Sequence, residues 1–209
     1  MVRTANTHEG QGRRTQQQRR EKTETALLAA ARQLIVESGV RSLTLARVGE
    51  RARYSRGIVS HHFGSKQALL DAVARTSQSG FVPGIADLPP GLERLLSLIE
   101  GYIGRLGADD SPSRAFLLLW AEAATAPELA VIFRERDERF RADLQVDVVA
   151  GMKAGTIRST VDPGDVSVAI LGQLRGLGMQ GLLTPGAVNT GRLGVVIAAY
   201  WRAALAADA

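Results

Sequence analysis

The sequence predicts an all-α protein, and three observations carry that reading. Apolar residues recur at three- and four-residue spacing along most of the chain, from Leu27 to Ala203. No stretch keeps the strict alternation of a half-buried strand. Proline and glycine, 7 and 22 of 209 residues, fall between the periodic runs and so break one helix from the next. With 45% hydrophobic residues, the chain has apolar content for one larger domain or two small ones.

The elements follow in order. Residues 1–14 are polar and basic and are expected to be disordered. A helix fits Thr15–Ser38, where Leu27, Ala31, Leu34 and Ile35 share a face and Gly39 stands at the stop position. Thr44 is placed to cap a short run carrying Leu45, Val48, Gly49 and Ala52. Ser55 then caps a helix ending near Phe63, and Ser65 another running to about Gln78. Gly80–Pro90, with two glycines and three prolines, reads as a linker. Beyond it, helices are expected at about 91–107, 112–125, 128–154, 164–183 and 190–206, broken by Pro112, Pro127, Pro163 and Pro185. The organisation is thus 1–14 tail, 15–78 first domain and 79–209 second domain.

Charge is distributed unevenly. Met1–Arg75 carries 14 Lys and Arg against 6 Asp and Glu, whereas Thr76–Ala209 carries 12 against 15. A basic first third on a mildly acidic body implies that one end meets a polyanion. The absence of cysteine excludes a disulfide scaffold, thiol catalysis and any zinc site with a cysteine ligand. No signal-type apolar stretch occurs in the first 25 residues, and uninterrupted apolar runs such as Ala115–Ala121 are short for a bilayer. A cytoplasmic protein without a membrane partner is the expectation.

The segment Thr44–Leu70, TLARVGERARYSRGIVSHHFGSKQALL, has the form of a helix-turn-helix: two short helices, a tight turn and small residues, Gly49 and Ala52, where the helices cross. Centring Val59 on the inward face of the second helix leaves Gly57, Ser60 and His61 facing out, with Ile58 on the flank. Arg56 is suited to a bidentate pair with guanine O6 and N7, Ile58 to a thymine methyl. Lys66, following a capping Ser65, has the chemistry for a backbone phosphate. Thr44 and Ser55 are read as caps that also meet DNA. His61 and His62 are adjacent, so on a helix they point about 100° apart and do not converge on a metal.

These residues resemble the DNA-binding domain of the TetR family of regulators. Thr44 opens the second helix, His61-His62-Phe63 ends the recognition helix, Gly64-Ser65-Lys66 makes the following turn, and Leu69-Leu70 come next. The likeness covers roughly residues 20–75. Ser60 and His61 stand where tyrosines are frequent, Arg53 where glycine is usual and Ile58 where threonine is common. The resemblance implies phosphate contacts from Thr44, His61, His62 and Lys66, and base contacts from the exposed part of Ser55–Ser60.

In the second domain, Gly176–Gly181 (GLGMQG) matches a dinucleotide fingerprint in letters alone, because it lies inside a helical run with no βαβ surroundings. Gly172 and Gly176, one turn apart, would instead admit a close neighbouring helix. Together with the stripe Val195, Val196, Ala199, Tyr200 and Ala203, they match the place where TetR regulators pair as a four-helix bundle, which implies a homodimer and a palindromic operator. Trp120 with Glu122, and Pro127-Glu128-Leu129, resemble the effector domains of regulators related to the choline-response repressor. A small, largely hydrophobic effector is expected among Phe116, Trp120, Phe133, Phe140 and Met179, with Gln173 and Arg175 as specificity groups. Residues 134–143, RERDERFRAD, read as a solvated face.

The function expected is that of a ligand-released transcriptional repressor, without cofactor or metal. An activator of the same fold is the alternative. A helical enzyme finds no nucleophile-elbow motif and no histidine beyond His62, and a plain interaction module leaves the helix-turn-helix register unexplained.

Overall fold

The computed structural model describes residues 8–77, 82–106, 111–186 and 189–207, with side chains from Thr15 onward. Its helices are α1 (His8–Ser38), α2 (Leu45–Ala52), α3 (Arg56–Phe63), α4 (Lys66–Ser77), α5 (Leu92–Leu106), α6 (Ser111–Ala123), α7 (Pro127–Lys153), α8 (Pro163–Leu183) and α9 (Thr190–Leu205). A 3₁₀ turn, Ile85–Asp87, lies in the linker, and Ile157 and Ala206 form an isolated bridge. The all-α expectation holds.

One boundary departs clearly from the sequence reading. α1 starts at His8 rather than Thr15, so 8–14 are helical where disorder was expected; 1–7 lie outside the described residues. These positions carry no apolar stripe, which is why they read as a tail. Once the buried part of α1 is formed, adding further turns of Gln, Arg and Glu avoids the cost of a new nucleus. The domain boundary also shifts. The chain divides into two compact units between Val73 and Ala74, within α4 rather than after it.

In the first unit α1 buries Leu27, Ala31, Leu34 and Ile35, the stripe that the spacing predicts, and Leu28 beside it; Val48, Val59, Leu69 and Leu70 of the following helices are also buried. Phe63, the last residue of α3, is half-buried. Arg51 of α2 forms a two-pronged pair with Glu37 of α1 at 2.8 and 2.6 Å, and this hydrogen bonding holds the Glu37 carboxyl below the usual range. The pair is exposed, so it orients α2 more than it stabilises the fold.

In the second unit α5 is central, with Leu92, Leu95, Leu96, Ile99, Tyr102 and Ile103 all buried. Asp147 of α7 is buried and accepts from the Gly91 amide at 3.0 Å and from Arg94 Nε at 2.7 Å, fixing the start of α5. A buried carboxylate with an ionic partner and an amide donor avoids the penalty of an unpaired charge. Glu93 and Arg202 tie the same end of α5 to α9 at 2.6 and 2.5 Å. α8 corrects the expectation about bilayer length: at 21 residues it is long and apolar enough to cross a membrane. Counting only uninterrupted apolar runs missed this. Here the apolar content goes into burial of Val166, Ile170, Leu171 and Leu174.

Two substitutions in the helix-turn-helix test this packing. A Cβ on Gly49 would lie 2.7 Å from the Tyr54 carbonyl oxygen and 3.2 Å from Val59 Cγ2. Gly49→Ala should therefore destabilise the chain by about 1–3 kcal/mol in denaturant melts. Arg53, which ends α2, has φ 61°, the left-handed region. Arg53→Gly should raise stability by up to about 1 kcal/mol, the strain removed less the flexibility added to the unfolded chain.

Candidate DNA-binding surface and sensor core

The surface of the first unit is built from caps upward. The Thr44 hydroxyl accepts from the Arg47 amide at 3.2 Å, Ser55 from Ile58 at 3.3 Å and Ser65 from Ala68 at 3.1 Å. Each hydroxyl so engaged keeps its own proton to donate. All three caps were legible as N-terminal serine or threonine before a periodic run. They set the direction in which α3 leaves the turn.

α3 buries Val59 completely and leaves Arg56, Gly57, Ile58 and His61 exposed, with Ser60 and His62 half-buried. The exposed residues named as base readers thus share the N-terminal end of one helix, beside Ser55 and not far in sequence from exposed Thr44. The Arg56 and Arg53 guanidiniums are exposed and have no partner among the described residues. Other cations near them are engaged: Arg47 donates to the Ser42 carbonyl at 2.9 Å and to Ser38 Oγ at 3.2 Å. Lys66 Nζ donates to the Arg41 carbonyl at 3.1 Å, so it pins α4 to the loop after α1 and presents its charge from a fixed position. His61 and His62 stand edge-to-face, 6.1 Å between centroids, and His62 Nδ1 is buried.

The second unit holds a cation at its centre. Arg175 of α8 is 2% exposed. Its Nη1 donates to the Tyr102 hydroxyl and its Nη2 to Asp137 Oδ1 at 3.2 Å. The guanidinium carbon lies 4.6 Å from the Phe116 ring centre, 5.9 Å from Tyr102 and 6.0 Å from Phe140. Trp120 Nε1 donates to the other oxygen of Asp137 at 3.0 Å, and Phe133 packs edge-on to Phe116 at 5.2 Å. Five of the seven sensor residues named from sequence therefore meet: Phe116, Trp120, Phe133, Phe140 and Arg175.

Of the other two, Gln173 accepts from Trp201 Nε1 at 2.7 Å, joining α8 to α9, and Met179 is half-buried one turn after Arg175 on α8. Sequence reasoning missed Tyr102, Asp137 and Arg136. The last two fall in the run 134–143 read as solvated, yet the run is two-faced. Arg134, Glu135, Glu138 and Arg139 are exposed, whereas Arg136 and Asp137 turn inward with Phe133 and Phe140. Positions 133, 136, 137 and 140 share one helical face, the signal that could have found them. Arg136 lies 5.6 Å over the same Phe116 ring. Its burial, and then the Arg175 charge, push its guanidinium below the ordinary value.

A cavity of about 490 Å³ lies among α5, α6, α8 and α9, lined by Ile103, Leu117, Leu177, Gly178, Leu193 and the polar Ser113 and Arg114, among others. None of the seven sensor residues lines it. Its size suits a small organic molecule.

Comparison with known proteins agrees with both halves. Residues 27–73 match bacterial regulatory proteins of the tetR family, and residues 91–206 match the BetI-type transcriptional repressor, C-terminal. The HTH-type transcriptional regulator BetI of Stenotrophomonas maltophilia is 31% identical over 125 residues, 56% of this chain and 63% of that protein. The match thus spans less than two thirds of that relative's length. BetI 2 of Chromohalobacter salexigens is 26% identical over 165 residues, 76% of this chain and 77% of the relative. A transcriptional regulator of Saccharomonospora viridis, solved in complex with choline, has the same fold, with TM-score 0.75 at 17% identity, over 90% of this chain and 100% of that one.

A salt titration separates the roles of the surface residues. Lys66→Ala should weaken binding to all DNA sequences and make the slope of log affinity against log salt shallower by about one unit, measured by fluorescence anisotropy.

Proposed function

Because the chain belongs to the tetR family of bacterial regulatory proteins and carries a BetI-type C-terminal domain, we propose that it is a sequence-specific DNA-binding repressor released by a small-molecule effector. The observation that carries this reading is the face of α3. Arg56, Gly57 and Ile58 stand exposed at its N-terminal end, behind which Val59 is fully buried, and the Arg56 guanidinium is uncommitted. A helix held this way offers side chains to base edges in a major groove. Thr44, His61, His62 and Lys66 then fix its register through phosphates, with Ser55 and Ser60 beside the reading positions. The activity is binding, exercised in the cytoplasm, where a bacterial chromosome lies.

The proposed assembly is a homodimer through α8 and α9. Val168, Leu183, Val195, Val196 and Tyr200 are 58%, 79%, 56%, 52% and 63% exposed, an apolar face that a lone chain leaves in water. Gly172 and Gly176 lie on it, and a Cβ on either would meet nothing within 4 Å among the described residues, which supports a close neighbour outside the chain as the reason for their smallness. A two-fold dimer sets two α3 helices against a palindromic operator, with half-sites about 34–36 Å apart or a multiple of it. α4 is continuous across the boundary between the two units, and so is the covalent path from effector to reading head. A ligand that lowers operator affinity ten-fold needs about 1.4 kcal/mol of differential binding, and operator must weaken ligand binding equally.

Selection of bound DNA from a random pool, followed by titration, tests the reading. Arg56→Ala should cost about 1–3 kcal/mol on the selected site and relax preference at one position per half-site. Equal affinity of the wild type for selected and random DNA would contradict it. Gly176→Leu should shift the chain toward monomer in sedimentation and weaken operator binding in parallel. An unchanged sedimentation profile would remove the proposed interface.

A further inference from the structure

The aromatic cluster in the second unit has the composition of a cation receptor, yet the cation in it is the chain's own. Three ring faces, from α5, α6 and α7, stand within about 6 Å of the Arg175 guanidinium, the range in which ring quadrupoles attract positive charge. A carboxylate, Asp137, and a phenol, Tyr102, supply the acceptors. Any free organic cation needs the same three things: π faces, a counter-charge and exclusion of water. In this chain all of them are already committed, and Arg175 Nε is buried beside them without an acceptor among the described residues.

We propose that Arg175 is an effector-selectivity residue: its guanidinium fills the aromatic cage of Tyr102, Phe116 and Phe140 from within, closing the sensor to cationic ligands. Entry of an external cation requires that Arg175 leave. A guanidinium forced out of its hydrogen bonds inside a packed core has no comparable set of acceptors, so displacement is strongly opposed. Arg136, over the same Phe116 ring, places a second positive charge beside the first. That charge repels another cation and would favour a neutral or acidic one. The inference deepens the effector role proposed above and rests on it, since selectivity has meaning only if this unit is the sensor.

The test uses the full chain and two probes, tetramethylammonium and choline chlorides, against sodium chloride at equal ionic strength. The wild type should keep its melting temperature and its operator affinity with both. Arg175→Ala removes the occupant and leaves the rings and Asp137. It should bind each probe, with a melting temperature raised by about 3–6 °C at ten times the dissociation constant. Arg175→Gln, which keeps a polar group for Tyr102 and Asp137, provides the same readout if the alanine variant does not fold. Release of wild-type operator DNA by either cation, or folded variants that take up neither, would overturn the proposal. Operator binding by the untreated wild type is measured in the same series. Its failure would remove the regulator reading, while the cation uptake of the variants would still report on the cage.

Discussion

The missing side chain at position 49 is the constraint from which the DNA-binding half of the molecule follows. A Cβ on Gly49 would stand 2.7 Å from the Tyr54 carbonyl oxygen and 3.2 Å from Val59 Cγ2, so α2 and α3 pack here with no room for a side chain. The crossing puts Val59 inside, and the helical repeat then sends Arg56, Gly57 and Ile58 outward. Caps by Thr44, Ser55 and Ser65 set where each helix begins, and the Lys66 contact to the Arg41 carbonyl locks the fourth helix onto the loop after the first. A bulkier residue at the crossing would move the reading face before it touched any DNA.

The second unit is organised around a different demand. A guanidinium removed from water needs a counter-charge and acceptors, and the four helices α5 to α8 each supply a part: Tyr102, Phe116, Asp137 with Phe140, and Arg175 itself. The aromatic faces and the acceptors together offset its desolvation. Such a cluster gives the bundle one register and a polar centre. On the selectivity role proposed for Arg175, the chemistry of the effector follows from a residue of the chain as well as from the shape of the space around it.

Much of the first unit was legible because its signals are local. A serine or threonine before a periodic run, a small residue at a crossing and a stripe such as Leu27, Ala31, Leu34 and Ile35 are each decided within a few positions. The aromatic cluster of the second unit was half legible for the opposite reason. Phe116, Trp120, Phe133, Phe140 and Arg175 could be named as lone aromatic or polar residues on apolar helices. Their partners could not, since Asp137 and Arg136 sit among exposed charges and are distinguished by helical phase alone. Gln173 looked like a specificity group because it is polar in an apolar helix, yet its partner is Trp201 on α9. The start of α1 was hidden because a helix can extend through polar sequence once its buried turns exist.

In the proposed assembly, two copies of this chain present α3 to successive turns of one DNA face. Hydroxyl-radical footprinting of the full chain on its selected operator tests it directly. Two protected patches related by a two-fold axis are expected, centred about 10–10.5 base pairs apart or a multiple of that spacing. A single unsymmetrical patch, or uniform protection without a repeat, would contradict it.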